Sequence, residues 1–148
     1  TDRNAGVVGW ACIGGGQDTP EQAGTPEQAG PPDCPAGTHL VQRIHFPDCW
    51  NGKDLDSADH RSHMAYASTG SGADAGRRVC PATHPVAVPH LRLGVHYPEG
   101  VGGSDVTLSS GGPETSHADF FNAWDPPAQA RLVRRCLDAA EKCGAKGP

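Results

Sequence analysis

Hydrophobic and polar positions alternate with period two in two stretches of the chain, the pattern of half-buried strands. In THLVQRIHF, 38–46, Leu40, Ile44 and Phe46 share one face with Gln42, while Val41, Arg43 and His45 share the other. The pattern predicts a strand that delivers Arg43 and His45 to its more polar side. VAVPHLRLGVHY, 86–97, repeats the alternation, with Leu91, Leu93, Val95 and Tyr97 facing one way and His90, Arg92 and His96 the other. Pro89 has no amide hydrogen for a ladder, so this is an edge strand, or the proline stands at a strand start. VVGWACI (7–13), SHMAYAS (62–68) and DVTLSS (105–110) read as shorter strands.

The period changes only near the end of the chain. Asp125 is suited to an N-cap and Pro126 to the first helical position. Leu132, Val133, Cys136, Leu137 and Ala140 then fall on one helical stripe, which Gly144 can terminate. Cys136 and Cys143 would stand about 10 Å apart along an unbroken helix, beyond disulfide reach. Either the helix unwinds before Cys143 and the two close a small loop, or each has another partner. Short strands, long turns and one terminal helix predict a single, mainly β domain over 1–148. The class expected is an antiparallel sandwich or jelly-roll-like fold, loop-rich and disulfide-bonded, with the helix at its periphery.

Composition explains why such a fold needs cross-links. Only 36% of residues are hydrophobic, while Gly contributes 20 and Pro 14 of 148. A thin core offsets little chain entropy. The even, scattered cysteines at 12, 34, 49, 80, 136 and 143, with no CxxC pair, read as disulfides made in an oxidising compartment. Nearest-neighbour closure gives Cys12–Cys34, Cys49–Cys80 and Cys136–Cys143. No hydrophobic run approaches a membrane span. A net charge of −5 and the lack of a Lys/Arg stripe argue against a nucleic-acid partner. TPEQAG occurs at 19–24 and again at 25–30, too short a repeat for a solenoid. A flexible surface loop with no functional role is expected over 14–32.

Candidate chemistry concentrates in HFPDCWNGKDLDSADHRSH, 45–63, which holds three histidines and four aspartates. His60 and His63 are three residues apart, which brings two imidazoles together on a helical turn but not on a strand. The neighbouring Asp54, Asp56 and Asp59 suit metal ligands or acceptors that fix a histidine tautomer. The competing reading is a tight loop whose aspartates and histidines satisfy backbone donors. A second grouping, SHADFFNAWD (116–125), sets His117, Asp119 and Asn122 among two phenylalanines and Trp124, with Asp125 assigned to the helix cap. CPATHPVAVPH adds His84 and His90 in a proline-locked loop, and His45 precedes Cys49 by four residues. No nucleophile elbow, zincin helix, phosphate loop or dinucleotide fingerprint is present.

HFPDCWNGKDLDSADHRSHMAY, CPATHPVAVPHLRL and SSGGPETSHADFFNAWD together resemble, in that order, the family catalogued as domain of unknown function number nineteen ninety-six. The resemblance runs from about Val7 to Cys136. It implies a secreted, disulfide-containing, strand-rich domain of the kind found in actinobacterial and fungal proteins, sometimes beside WSC modules. It brings no settled activity. Its motifs fall on His45, Asp48, Cys49, Trp50, Asp59, His60, His63, Cys80, His84, His117, Asp119 and Trp124. Members of the family begin well upstream, so the chain is expected to be a fragment covering roughly the C-terminal two thirds of the domain.

The leading expectation is a secreted domain that acts on or binds extracellular polysaccharide or cell-wall glycan. His60, His63 and His117 would be metal ligands or acid/base groups, and Asp119 an orienting or basic carboxylate. His45, Asp59 and His84 would contact substrate, with Trp50 and Trp124 as sugar platforms. A divalent metal is the candidate cofactor, its identity open. Two alternatives stand beside this: a non-catalytic carbohydrate-binding or wall module, and a secreted metal-binding protein without turnover. Because burying several imidazoles and carboxylates is costly unless they pair, the 60–63 and 117–119 segments are expected to meet in one site.

Overall fold

The alternating 38–46 stretch forms the central strand of the larger sheet. A computed structural model describes residues 7–15, 22–23, 30–139, 141 and 143. Its strands are β1 (Val8–Ile13), β2 (Gln22–Ala23), β3 (His39–His45), β4 (Cys49–Trp50), β5 (Met64–Ala65), β6 (Ser68–Thr69), β7 (Arg78–Val79), β8 (Val86–Ala87) and β9 (Arg92–His96). All named pairings are antiparallel, in a four-stranded sheet ordered β2-β1-β3-β9, a three-stranded sheet ordered β5-β4-β8, and the β6-β7 hairpin. The fold is thus β-dominated, as the sequence pattern predicts. Gln22–Ala23, from the first TPEQAG copy, pair with Trp10 and Gly9. Most of the loop expected over 14–32 lies outside the described residues.

Register places the core. Trp10 pairs with Gln42, Cys12 with Leu40 and Val8 with Ile44, so these side chains share one face. Trp10, Cys12 and Leu40 are at most 2% exposed. The buried Gln42 is satisfied because its Nε2 donates to Ser116 Oγ at 2.9 Å. Ala11 and Val41 are buried on the other face. β9 continues both faces but is exposed throughout, including Leu93 and Val95. Among the described residues it is an edge strand, paired with β3 alone.

Two expected strands divide. The 86–97 stretch breaks at Pro89, sending β8 to the small sheet and β9 to the large one. The 62–68 stretch likewise splits into β5 and β6. The strand expected at 105–110 is not formed. Gly103–Asp105 is a 3-10 turn, and Leu108 and Gly111 close on each other in an isolated bridge. With only Val106 and Leu108 apolar, that segment has little to cover a sheet face. Gly103 also sits where a Cβ would collide with the Pro31 carbonyl, which allows only glycine at this approach of two loops.

All three expected disulfides are present: Cys12–Cys34, Cys49–Cys80 and Cys136–Cys143. The helix α1 (Pro126–Leu132) runs into a wider π-type turn over Val133–Leu137. It ends there, so the Cys136 and Cys143 Cα atoms close to 5.7 Å. The unwinding alternative is therefore the correct one; Ala140 and Gly144 lie outside the described residues. Asp125 caps α1 as assigned, its Oδ1 accepting from the Ala128 amide at 3.0 Å. Asp125→Ala should cost about 1 kcal/mol in chemical denaturation, with Asp125→Ser restoring most of it. No change on Asp125→Ala would show that the cap does not contribute.

Candidate functional site

Loop 51–63 is held by its own polar side chains. Asn51 Oδ1 accepts the amides of Lys53 and Asp54, each at 3.0 Å, making an Asx turn. The indole N–H of Trp50 donates to the Asp54 carbonyl at 2.7 Å. Ser57 Oγ donates to Asp59 Oδ1 at 2.7 Å, and the same oxygen accepts the Arg61 and Ser62 amides and the Ser62 hydroxyl. Bonds from the Ser62 amide above all, then from Ser57 and Arg61, hold the Asp59 carboxyl well below the usual carboxylate range. Asp59 thus shapes the loop. The turn forces His60 into the left-handed region at φ 55°, which histidine tolerates better than most residues.

The hydrogen bonds also fix three imidazoles. His60 Nδ1 lies 2.8 Å from Asp56 Oδ2, and a carboxylate can only accept, so Nδ1 donates. His117 Nδ1 donates to the Thr115 carbonyl at 2.9 Å. The Ser57 hydroxyl proton is committed to Asp59, so His63 Nδ1 donates to Ser57 Oγ at 3.0 Å. In the neutral form each ring therefore presents Nε2 as an acceptor. Asp56, which also stands 4.0 Å from His63 Nδ1, is the carboxylate between the two loop histidines. It is one of the aspartates expected to fix a histidine tautomer, and it does so for His60, four residues on.

His60, His63, His117 and Asp119 line a single cleft of about 670 Å³, together with His45, Arg61 and Tyr66. The 60–63 and 117–119 segments therefore both contribute to the lining of this cleft. His45 enters from the end of β3, where its Nδ1 stands 3.2 Å from His90 Nε2 and the rings stack. Burial above all, helped by the nearby Arg78, lowers the His90 pKa, which favours a neutral ring in this pair. Tyr66 donates its hydroxyl to the His45 carbonyl at 3.0 Å. Arg61 and Tyr66 stand inside the 45–66 motif but were not singled out as site residues, because neither adds to the His/Asp pattern that marked it.

The other expected contacts lie elsewhere. His84 Nε2 donates to the Ser62 carbonyl at 3.0 Å, and its Nδ1 accepts from Thr83 Oγ1 at 2.9 Å, so both ring nitrogens serve to tie two loops together. Asp59, Trp50 and His84 are not among the residues lining the cleft. Trp50 is half-buried with its N–H engaged, which makes it a loop anchor in place of the expected sugar platform. Trp124 lines a second, neighbouring cleft of about 450 Å³. The two clefts share Phe46, Pro47, Met64 and Phe120 as common wall. Among the described residues no three His, Cys, Asp or Glu side chains are gathered in a way that could hold a metal ion. His60, His63 and His117, the expected ligand set, all line the cleft but are not gathered into a coordination shell.

Beneath the clefts, Asp48 joins the loops. It is 5% exposed and accepts from Arg78 Nε at 2.7 Å and the Ala67 amide at 2.8 Å. Its own backbone bonds Ala65 and Val88. The disulfide Cys49–Cys80 lies beside it. This junction fixes the base of loop 51–63 against the 78–88 segment.

Among the described residues no helix is long and apolar enough to cross a membrane. No curated protein and no solved structure matches the chain. Residues 1–124 match the family described as Domain of unknown function (DUF1996), which covers the histidine loop, the His45 strand and the His117 segment together. The chain therefore belongs to the DUF1996 family.

Proposed function

We propose that this is a secreted, extracellular domain that binds polysaccharide in the histidine-lined cleft. The observation that carries this reading is a set of imidazoles lining one cleft: His60, His63 and His117 spend Nδ1 on the protein, which leaves Nε2 as the acceptor of each neutral ring. Sugar hydroxyls are donors of the matching kind, while Arg61 and the Asp119 carboxylate supply a donor and a further acceptor on the same wall. Phe46 and Phe120 give the apolar surface on which a sugar ring rests. Three disulfides fit an oxidising, extracellular setting.

The test is a panel of cell-wall and extracellular polysaccharides, measured by affinity electrophoresis and calorimetry. The double variant His117→Ala, Asp119→Asn should weaken binding roughly thirtyfold, two net hydrogen bonds of about 1 kcal/mol each. Unchanged affinity in that variant would remove the cleft as the binding site. Breakdown of a bound polysaccharide by the wild type, lost with Asp119→Asn, would replace the binding module by an enzyme.

A further inference from the structure

The second cleft differs in kind from the first. Its walls are Phe46, Leu91, Phe120, Trp124, Leu132 and Val133 with further apolar neighbours, and its polar lining residues are His90 and Gln129. At about 450 Å³ it has the size of a small-molecule site. A sugar ring there would surrender hydrogen bonds to water that these walls cannot replace. Hydrocarbon would surrender none. The cleft is also not a closed core: Phe120 is 50%, Trp124 51% and Leu137 58% exposed, so large apolar surfaces meet water side by side. It adjoins the histidine-lined cleft, sharing Phe46, Pro47, Met64 and Phe120 with it, and the stacked His45–His90 pair contributes one ring to each.

We propose that the ligand is a saccharide bearing an alkyl or acyl chain, with the sugar in the histidine-lined cleft and the chain in the apolar one. This rests on the glycan reading of the first cleft and adds to it the class of ligand. A polar and an apolar cleft side by side match a ligand that is itself divided in that way.

The experiment uses the whole chain, N-phenyl-1-naphthylamine as an apolar fluorescent probe, and n-alkyl maltosides of increasing chain length below their micelle concentrations. The probe should bind and be displaced by the maltosides. Each added methylene should tighten displacement about three- to fourfold until the cleft is full. Leu137→Glu, at a lining position 58% exposed, should flatten the series, and Leu91→Glu, at a second exposed lining position, should do the same. Plain oligosaccharides that bind while chain length has no effect would overturn the proposal and leave the glycan reading standing. An equal response to alkyl sulfates of the same length would keep the hydrocarbon site and overturn the sugar head. Release of the probe through dimerisation as protein concentration rises would overturn the proposal in favour of a second copy of the chain.

Discussion

Replacing Cys49 and Cys80 together with serine should lower the stability of the domain by about 4 kcal/mol. The bridge spans a sequence separation of 31 residues, and that closure removes about this much chain entropy from the unfolded state. Cys49 is fully buried, so a serine hydroxyl there adds a desolvation cost. The 7-residue Cys136–Cys143 closure is worth only about 2 kcal/mol by the same relation. The loop carrying His60 and His63 lies wholly within the 49–80 segment, so glycan binding should fall with stability, whereas opening Cys136–Cys143 leaves that loop closed. Urea denaturation of both double variants, followed by binding at a temperature where each is folded, measures this. A loss below about 1 kcal/mol for the 49–80 pair would mean that packing alone holds the loop.

Asp48→Ala should cost about 2–4 kcal/mol. A buried hydrogen bond to a charged group contributes roughly 1.5–3 kcal/mol, and this carboxylate makes two, to Arg78 and to the Ala67 amide. Arg78 is half exposed and regains water when its partner is removed, which keeps the total below the full sum. Asp48→Asn, which keeps the shape and can still accept from Ala67, should cost about half as much. Burial pushes the Asp48 carboxyl up, but the Arg78 guanidinium and the Ala67 amide outweigh it and hold the group below its ordinary 3.8. A folded pKa below the unfolded one means stability that is full above the unfolded value and lost as pH falls through the folded value. The gap between wild type and Asp48→Ala should therefore be constant from about pH 5 to 7 and close progressively below about pH 4. A gap that persists undiminished at about pH 2 would assign the effect to packing and not to the ion pair.

Relations within a few residues were readable before any coordinates. The alternation of 38–46, the Asp125 cap and the β-dominated class follow from local periodicity and cap chemistry; the three disulfide pairs match nearest-neighbour closure, one of fifteen connectivities that spacing alone leaves open. The 60–63 and 117–119 segments line one cleft, but His60, His117 and Asp119 are exposed there, so the cost of burying polar groups is not what sets them side by side.

What the tertiary structure alone decided concerns partners far apart in sequence. Pro89 marks a break, but only the pairing of β8 with β4 and β9 with β3 shows that the two halves of 86–97 join different sheets. Trp50 and Trp124 look alike as exposed aromatic candidates in the sequence; one is tied to the Asp54 carbonyl and the other lines the apolar cleft. Histidine spacing cannot tell a ligand set from a cleft wall, because coordination depends on where three side chains converge in space. Local chemistry determined which elements form and where polar groups concentrate. Loop closure across 49–80 and the sheet register decided which of those groups face one another, since that depends on contacts whose entropy the folded chain alone has already met.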